Sequence, residues 1–375
     1  MKKMLYVGED IGNANTAMCI HALNVSKLFW SIGIETKILC TYAQHKVSEN
    51  CEISYLYSSP IRGKFGTRIE ELVGLCLWNS FLEIVKKERP DIVLFYGYSI
   101  ESKIIKFCHK NKIKILIERV DWFEKEDRQG LYGKHIYQRK VDYSINKIDT
   151  QSDGLIVISK FLYDFYNKKK AKVFLLPPIF DRIDDSINLV KSNLINIVYA
   201  GSLNGSKDVI GPFLECIDKY NRNNGIRYLF HIIGDTPYDI EQRYKKSNTG
   251  IIFYGKVNHD DVIKIMRQCH FGILLRNDKR YAKAGFSTKF AEMMSHGLGM
   301  ICTKVGGADY LIEDKKNGFL LSNNSEDQIM SVLEEIDKLS AEEIKTIREN
   351  ALETAKNIFL MDAYKEELKE FLGIT

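Results

Sequence analysis

Short, nearly continuous apolar runs recur along this chain, separated by stretches whose apolar residues return at helical spacing. In the first half, KMLYVGED, ETKILCTY, DIVLFYG, IKILIERVD, AKVFLLPP and the start of DGLIVISKFLYDFYNKK read as strands. TAMCIHALNVSKLFWSIG, GTRIEELVGLCLWNSFLEIVKKERP, SKIIKFCHKNK and the end of the DGLIVIS stretch read as helices. Strands that are apolar on both faces and alternate with helices predict a parallel sheet covered on both sides.

The Pro177-Pro178 step and the polar stretch DRIDDSINLVKSN interrupt this rhythm and mark a domain boundary. The pattern then restarts. INIVYAG, RYLFHIIG, GIIFYG, FGILLR and GMICTK read as strands. Helices are expected near 208–222, at DIEQRYKK, at HDDVIKIMRQC and over 287–296, and residues from SEDQIMSVLEEIDKL onward read as mostly helical. Two doubly wound α/β domains of similar size suggest a ligand in a central cleft between them. Ligands of such sheets sit at the carboxyl ends of the strands, so the loops that follow strands are the ones to inspect.

Composition narrows the class. In 375 residues, 45% are apolar and 27% charged, as in a globular protein with a real core. No signal-peptide pattern is visible, and no apolar run approaches the roughly 18 residues of a membrane span. Eight scattered cysteines without a C-x-x-C pair suggest neither a zinc site nor a disulfide framework, and reduced thiols in a cytosol fit best. Residues 1–180 hold 28 Lys and Arg against 20 Asp and Glu, whereas 181–375 hold 26 against 29. The basic first half suits an anionic partner, phosphate or lipid headgroup, although ordinary solvated lysines give the same count.

Three loops can hold a ligand. In GEDIGNANTA, Gly8 and Gly12 permit close backbone approach, and Asn13 and Thr16 are polar at a helix start, where an anion can rest. In YAGSLNGSKD, Ser202 and Lys207 follow the first strand of the second half, where a cation can meet a diphosphate. That loop has neither P-loop nor G-x-G-x-x-G spacing, which counts against a nicotinamide or flavin enzyme. In FYGKVNHDDV, the backbone at Gly255-Lys256-Val257 can read the edge of a flat base. No H-x-x-x-H pair offers a metal site, and no metal or cofactor is expected.

AGFSTKFAEMMSHGLGM, residues 284–300, is the most pointed stretch. Gly285 and Ser287 loosen a helix entrance that Ser287 or Thr288 can cap. The amides at 287–289, with Lys289 among them, can accept a phosphate. Glu292 lies four residues beyond Thr288 on the same face, roughly 6 Å along the axis, about the step from a phosphate to the ribose of the same nucleotide. A carboxylate there can clamp the ribose diol. A surface pair between Glu292 and Lys289 is the structural alternative.

These pieces, in this order, resemble the retaining glycosyltransferases of the GT-B fold, of the family-four type (glycosyl transferases group 1). IVYAGSLNGSKD, FHIIGD, IIFYGKV, FGILLR, the Glu292 helix, GLGMICTKVGGADYLIEDKKNGFLL and SDGLIVISKFL carry the likeness, most strongly over 195–322. The resemblance implies two Rossmann-like domains, at 1–180 on the acceptor side and at 181–357 for the nucleotide sugar, with 358–375 a helix crossing back. It implies Glu292 as the second glutamate of the E-x7-E motif, on the ribose, and Lys207 as the basic residue on the diphosphate, with Arg276 or Lys283 as a second cation. Ala284 stands where the first glutamate, a donor-sugar contact, is expected. The family's polar residue after a middle strand of the first domain, often His, falls on LIERVDWF, where Asp121 or Glu118 substitutes and Trp122 and Phe123 read equally as core.

The expected activity is transfer of a sugar from a nucleotide diphosphate sugar, a UDP-sugar, with retention and without a metal, since no D-x-D motif is present. The acceptor implied by the resemblance is a growing bacterial surface glycan, lipid-linked at the inner membrane face. In YGKHIYQRKVDYSINK, Tyr137, Val141, Ile145 and Ile148 form one apolar face, of a membrane-surface helix or of a core helix. A nucleotide-sugar epimerase of the same fold and a non-catalytic nucleotide-sugar-binding subunit are the competing functions, the latter because of Ala284.

Overall fold

The computed structural model describes the chain apart from residues 9–10, 12–15, 41–53, 58–63, 189, 191, 204, 206 and 375. Gly12 and Asn13, the expected anion contacts after the first strand, lie outside the described residues. The chain divides into two compact units, Met1–Asp181 with Met361–Thr375, and Arg182–Leu360.

The first unit is built on β1 (Lys2–Gly8), β2 (Ile34–Cys40), β3 (Ser54–Tyr57), β4 (Ile92–Tyr96), β5 (Lys114–Arg119), β6 (Gly154–Val157) and β7 (Val173–Leu175). They form one sheet in the order β3-β2-β1-β4-β5-β6-β7, and every pairing is parallel. Strand interiors such as Leu94, Phe95, Ile115, Leu116 and Ile117 are buried, which is why these runs carry so few polar residues. The last residues of the chain return here: Leu368, Phe371 and Leu372 pack into the same core as Phe174 and Leu116.

The single helix expected over GTRIEELVGLCLWNSFLEIVKKERP is two, Lys64–Val73 and Leu75–Glu88. Gly74 between them has φ +56°, and a Cβ there would lie 2.5 Å from Ile100 Cγ2, so the chain turns where only glycine fits. Glu70, buried, caps the second helix by accepting the amides of Cys76 and Leu77. Strand β3 and the short helix Arg280–Ala284 were not expected from the pattern.

Residues 130–151 are helical throughout, with π-helical turns at Gly133–Tyr137 and Ser144–Ile148. Val141, Ile145 and Ile148, expected to share one apolar face, are buried. Theirs is the core side of that segment, as the core-helix reading has it, and Tyr137 of the same expected face is half-buried. Behind it Arg119 is wholly buried. Its Nε donates to Asp149 at 2.9 Å and its Nη2 at 2.6 Å, and it also pairs with Glu101. A guanidinium buried so deeply persists because two carboxylates and two backbone carbonyls accept its protons.

The second unit holds β8 (Ile195–Ala200), β9 (Tyr228–Ile233), β10 (Ile251–Gly255), β11 (Phe271–Leu274), β12 (Gly299–Thr303) and β13 (Gly318–Leu321). Their order is β10-β9-β8-β11-β12-β13, again parallel throughout. The order reverses direction between β8 and β11. In open sheets of this kind the crevice for a ligand opens there, beyond the carboxyl ends of the strands.

Candidate functional site

Three elements of the second unit converge at the point where the strand order reverses: the loop after β8, the segment after β11 and the N-terminus of the helix Thr288–Ser295. Asp208 joins them. Its Oδ1 accepts from Arg276 Nε at 2.8 Å, and its Oδ2 accepts from Lys289 Nζ at 2.6 Å and from the Tyr199 hydroxyl at 3.0 Å. Two cations thus share one carboxylate and leave a net positive charge at the strand ends.

The backbone fixes this arrangement before any ligand arrives. Asp208 and Arg276 form an antiparallel bridge, and the Val209 amide donates to Leu275 O at 2.7 Å. Thr303, ending β12, accepts the Arg276 amide at 2.8 Å and donates its hydroxyl to the Arg276 carbonyl at 2.9 Å. Gly201 faces the cluster closely: a Cβ there would lie 2.3 Å from Lys289 Nζ and 2.7 Å from the Tyr199 hydroxyl oxygen. A side chain at Gly201 would therefore displace the Lys289 ammonium from its place and crowd the Tyr199 ring.

Ser287 is the N-cap of the Thr288–Ser295 helix, its Oγ accepting the Phe290 amide at 3.4 Å. The amides of Thr288 and Lys289 belong to the first turn, whose N–H groups have no partner within the helix. Phe290, Ala291, Met293 and Met294 are buried, so the apolar face seats the helix against the sheet. Glu292, one turn further in, is on another face, its side chain 24% exposed and 3.6 Å from His259 Nε2. The alternative pairing of Glu292 with Lys289 is absent, because Lys289 is committed to Asp208. Burial pushes the Glu292 carboxyl above its ordinary range, against the smaller opposing pull of His259.

Asp208 behaves oppositely. Burial works against its ionisation, but Lys289 and then Arg276 outweigh that and hold its pKa at about 2. The same carboxylate, after burial itself, pushes the Tyr199 hydroxyl upward. The sign follows directly. A carboxyl whose pKa falls from 3.8 unfolded to about 2 folded stabilises the native state above roughly pH 4, and that stability disappears as pH falls towards 2. With the Asp208 side chain only 6% exposed, the contribution is about 2 kcal/mol. Urea unfolding of wild type and Asp208→Asn between pH 6 and 2.5 is expected to show wild type losing about 2 kcal/mol more than the variant over the acid limb. Parallel curves would reject this account.

The other expected site residues are placed as follows. Lys207 is exposed on the loop after β8, and its carbonyl accepts the Tyr281 hydroxyl at 3.2 Å. The Ser202 carbonyl accepts from the Tyr199 hydroxyl at 3.4 Å. Lys283 pairs with Asp278 at 2.7 Å, so among the two candidate second cations Arg276 is the one in the cluster. Gly285 precedes the helix entrance, its amide bonded to Tyr281 O at 3.0 Å. Val257 follows β10, where the Gly255 carbonyl accepts the Gly234 amide at 2.8 Å and joins the ends of β10 and β9.

Asp121 and Glu118 belong to the first unit. Glu118 is buried, accepting from the Tyr6 hydroxyl and lying 2.9 Å from His21 Nε2, which is a core role. Trp122 is buried too, its indole N–H donating to Asp142 at 2.8 Å. Asp121 is half-buried, and after burial its charge helps to push the Tyr96 hydroxyl well up. Sequence reasoning missed Asp208 and Tyr199. The adjacency of Asp208 to Lys207 was the only local signal, and nothing in it pointed to two distant cations.

Residues 195–338 match the family of group 1 glycosyl transferases, so the second unit carries a domain of that family. The chain is 24% identical over 340 residues to the uncharacterized glycosyltransferase MJ1069 of Methanocaldococcus jannaschii, covering 82% of this chain and 80% of that protein. It is 22% identical over 321 residues to an uncharacterized 41.2 kDa protein in the cps region of Klebsiella pneumoniae, covering 80% and 82%. Among solved structures, Anabaena Alr3699/HepE in complex with UDP superposes with TM-score 0.73 at 15% identity over the full length of both chains. Sucrose-phosphate synthase of Thermosynechococcus elongatus superposes with TM-score 0.77 at 10% identity, covering 100% and 98%. The α/β fold, two Rossmann-like parallel-sheet units, is that of the GT-B glycosyltransferases.

Proposed function

We propose that the protein is a retaining glycosyltransferase that moves a sugar from a UDP-sugar to a glycan or lipid-linked glycan acceptor in surface polysaccharide biosynthesis. The observation that carries the proposal is the preorganised Arg276–Asp208–Lys289 cluster at the reversal of strand order, beside a helix N-terminus and one turn from Glu292. The family-four type rests on the E-x7-E register, in which Glu292 takes the second position and Ala284 the first. That UDP is a bound ligand of the Anabaena relative supports the choice of nucleotide.

In the proposed reaction the diphosphate leaves the anomeric carbon with growing negative charge. Lys289, Arg276, the exposed Lys207 and the 287–289 amides face that charge already oriented, so little reorganisation is needed at the moment of reaction. The acceptor hydroxyl attacks on the face from which the diphosphate departs. Its oxygen bonds to the anomeric carbon as the bond to the phosphate oxygen breaks, and that phosphate oxygen takes the hydroxyl proton. Asp121 of the first unit is the proposed polar contact for the sugar. Fixed side-chain cations take the place of a divalent metal.

The test is a screen of labelled UDP-sugars without acceptor. Slow release of UDP and free sugar, undiminished by excess chelator, is the expected outcome. Recovery of an isomerised donor would mark an epimerase, and tight binding with no turnover would mark a binding subunit. Loss of turnover in chelator with rescue by manganese would refute metal independence. Once an acceptor is found, inversion at the anomeric carbon in the product would overturn the retaining assignment.

A further inference from the structure

A nucleotide diphosphate sugar has its ribose and its sugar at opposite ends of the diphosphate. In the proposed complex the helix entrance at 287–289 takes the diphosphate, and Glu292, one turn further in, takes the ribose. The sugar then lies on the other side of the entrance, toward the segment that leads into it. That segment is the short helix Arg280–Ala284, with 276–279 before it and Gly285 after it. Two other segments meet it there. The Tyr281 hydroxyl donates to the Lys207 carbonyl at 3.2 Å and joins the short helix to the loop after β8. The turn after β12 lies against it as well: a Cβ at Gly306 would fall 2.4 Å from Ala282 O, and one at Gly307 would fall 2.4 Å from Phe286 Cε2.

The charge of these three segments is unequal. Residues 201–209, 276–289 and 303–310 hold seven Lys and Arg and three Asp, outside Glu292. Each Asp is already engaged. Asp208 accepts from Arg276 and Lys289, Asp278 pairs with Lys283 at 2.7 Å, and Asp309 accepts the Gly307 amide at 3.1 Å. With Glu292 counted, seven cations face four carboxylates. A diphosphate bridging two sugars, with one charge on each phosphate, answers about two of the three positive charges left over. A neutral sugar does not answer the third. Its hydroxyls also need acceptors, and the carboxylates of these segments are taken. A carboxylate on the sugar only accepts, and the guanidinium fork matches its two oxygens. Arg280 is half-buried at the start of the short helix, with Lys279 exposed beside it. Ala284 ends that helix with a buried methyl group and brings no negative charge to repel such a sugar.

We infer that the donor carries a hexuronic acid, whose carboxylate is received by Arg280 and Lys279. The inference rests on the nucleotide-sugar reading above and names the class of sugar that the same site takes.

Calorimetric titration of the full chain with UDP, UDP-glucose, UDP-galactose, UDP-glucuronate and UDP-galacturonate tests it. At least one uronate donor is expected to bind roughly tenfold or more tighter than the neutral donor of the same ring configuration. That ratio is expected to fall as salt is raised and to collapse towards one in Arg280→Met. Lys246→Met, which removes an exposed lysine from the last turn of the helix Tyr238–Ser247, is expected to keep it. A melting curve of each variant shows that it is folded, and Lys279→Met, at an exposed position, carries the test if Arg280→Met is not. Neutral donors binding as tightly as their uronate counterparts would overturn the inference and leave the UDP-sugar reading standing, since the extra cations would then serve the diphosphate alone. A uronate preference that survives both Arg280→Met and Lys279→Met would overturn the assignment to these two residues. Failure of UDP and of every one of these donors to bind would overturn the nucleotide-sugar reading itself, and this inference with it.

Discussion

Replacing Lys289 with alanine will lower kcat for sugar transfer by roughly a hundredfold to a thousandfold, the loss that follows removal of one preorganised group facing developing charge. Lys289 sits in the first turn of its helix, beside the amides that would cradle the same phosphate. Its ammonium is held 2.6 Å from Asp208 and 5.0 Å from the Tyr199 ring centroid, yet its side chain remains 29% exposed. It is thus anchored on one side and open on another. Asp208 does not cancel the cluster, because Arg276 brings a second cation to the same carboxylate. Lys289→Gln, which keeps most of the length without the charge, is expected to behave like the alanine variant. Lys207→Ala should lose less, since Lys207 is exposed and screened by solvent. If Lys289 served only to hold Asp208 in place, the melting temperature would fall while kcat per folded molecule stayed at the wild-type value. That outcome would remove Lys289 from the mechanism.

The parallel α/β character was legible because buried strands of such sheets carry few polar residues, and those few need partners, as buried Asn196 of β8 has in His231 and the Leu194 carbonyl. INIVYA is buried at all six positions of β8, and runs of that kind announce themselves. Gly74 was harder. It reads as one tolerated glycine in a long helical pattern, and only the Ile100 side chain, distant in sequence, shows that the chain turns there. Phase was harder still. In 130–151 the two π turns shift the register, so a period of 3.6 assigns the core stripe without showing that other exposed positions are apolar as well. For the site, Glu292 and the helix entrance were visible because both lie within one helical turn. The Asp208 cluster was not, since Tyr199, Asp208, Arg276 and Lys289 come from four places in the chain and meet only where the strand order reverses.

Glu292→Gln is expected to weaken UDP binding by roughly tenfold to a hundredfold while leaving the unliganded protein no less stable. The first half follows from the proposed ribose clamp. A carboxylate accepts two hydroxyl protons, each such charge-assisted bond contributing about 1.5–3 kcal/mol, and an amide of the same shape retains only part of that. The second half follows from the direction in which the carboxyl titrates. Burial raises its pKa above 4.5 in the folded protein, more than His259 lowers it. A raised carboxyl adds stability only while protonated, below the unfolded value, and that advantage is lost as pH rises through the folded one. At neutral pH the ionised Glu292 therefore costs the unliganded fold something, and neutral Gln removes that cost. His259 offers little in return, being 3.6 Å away with a largely exposed ring. For the same reason UDP affinity in wild type should begin to fall at a higher pH than an ordinary glutamate would give, and this acid limb should vanish in Glu292→Gln. Calorimetric titration of UDP from pH 8 down to 5, with a melting curve at each pH, reads both effects. A purely structural Glu292 predicts the reverse, with unchanged UDP affinity and a lowered melting temperature in the variant, and finding that pair of results would move the ribose contact to another residue.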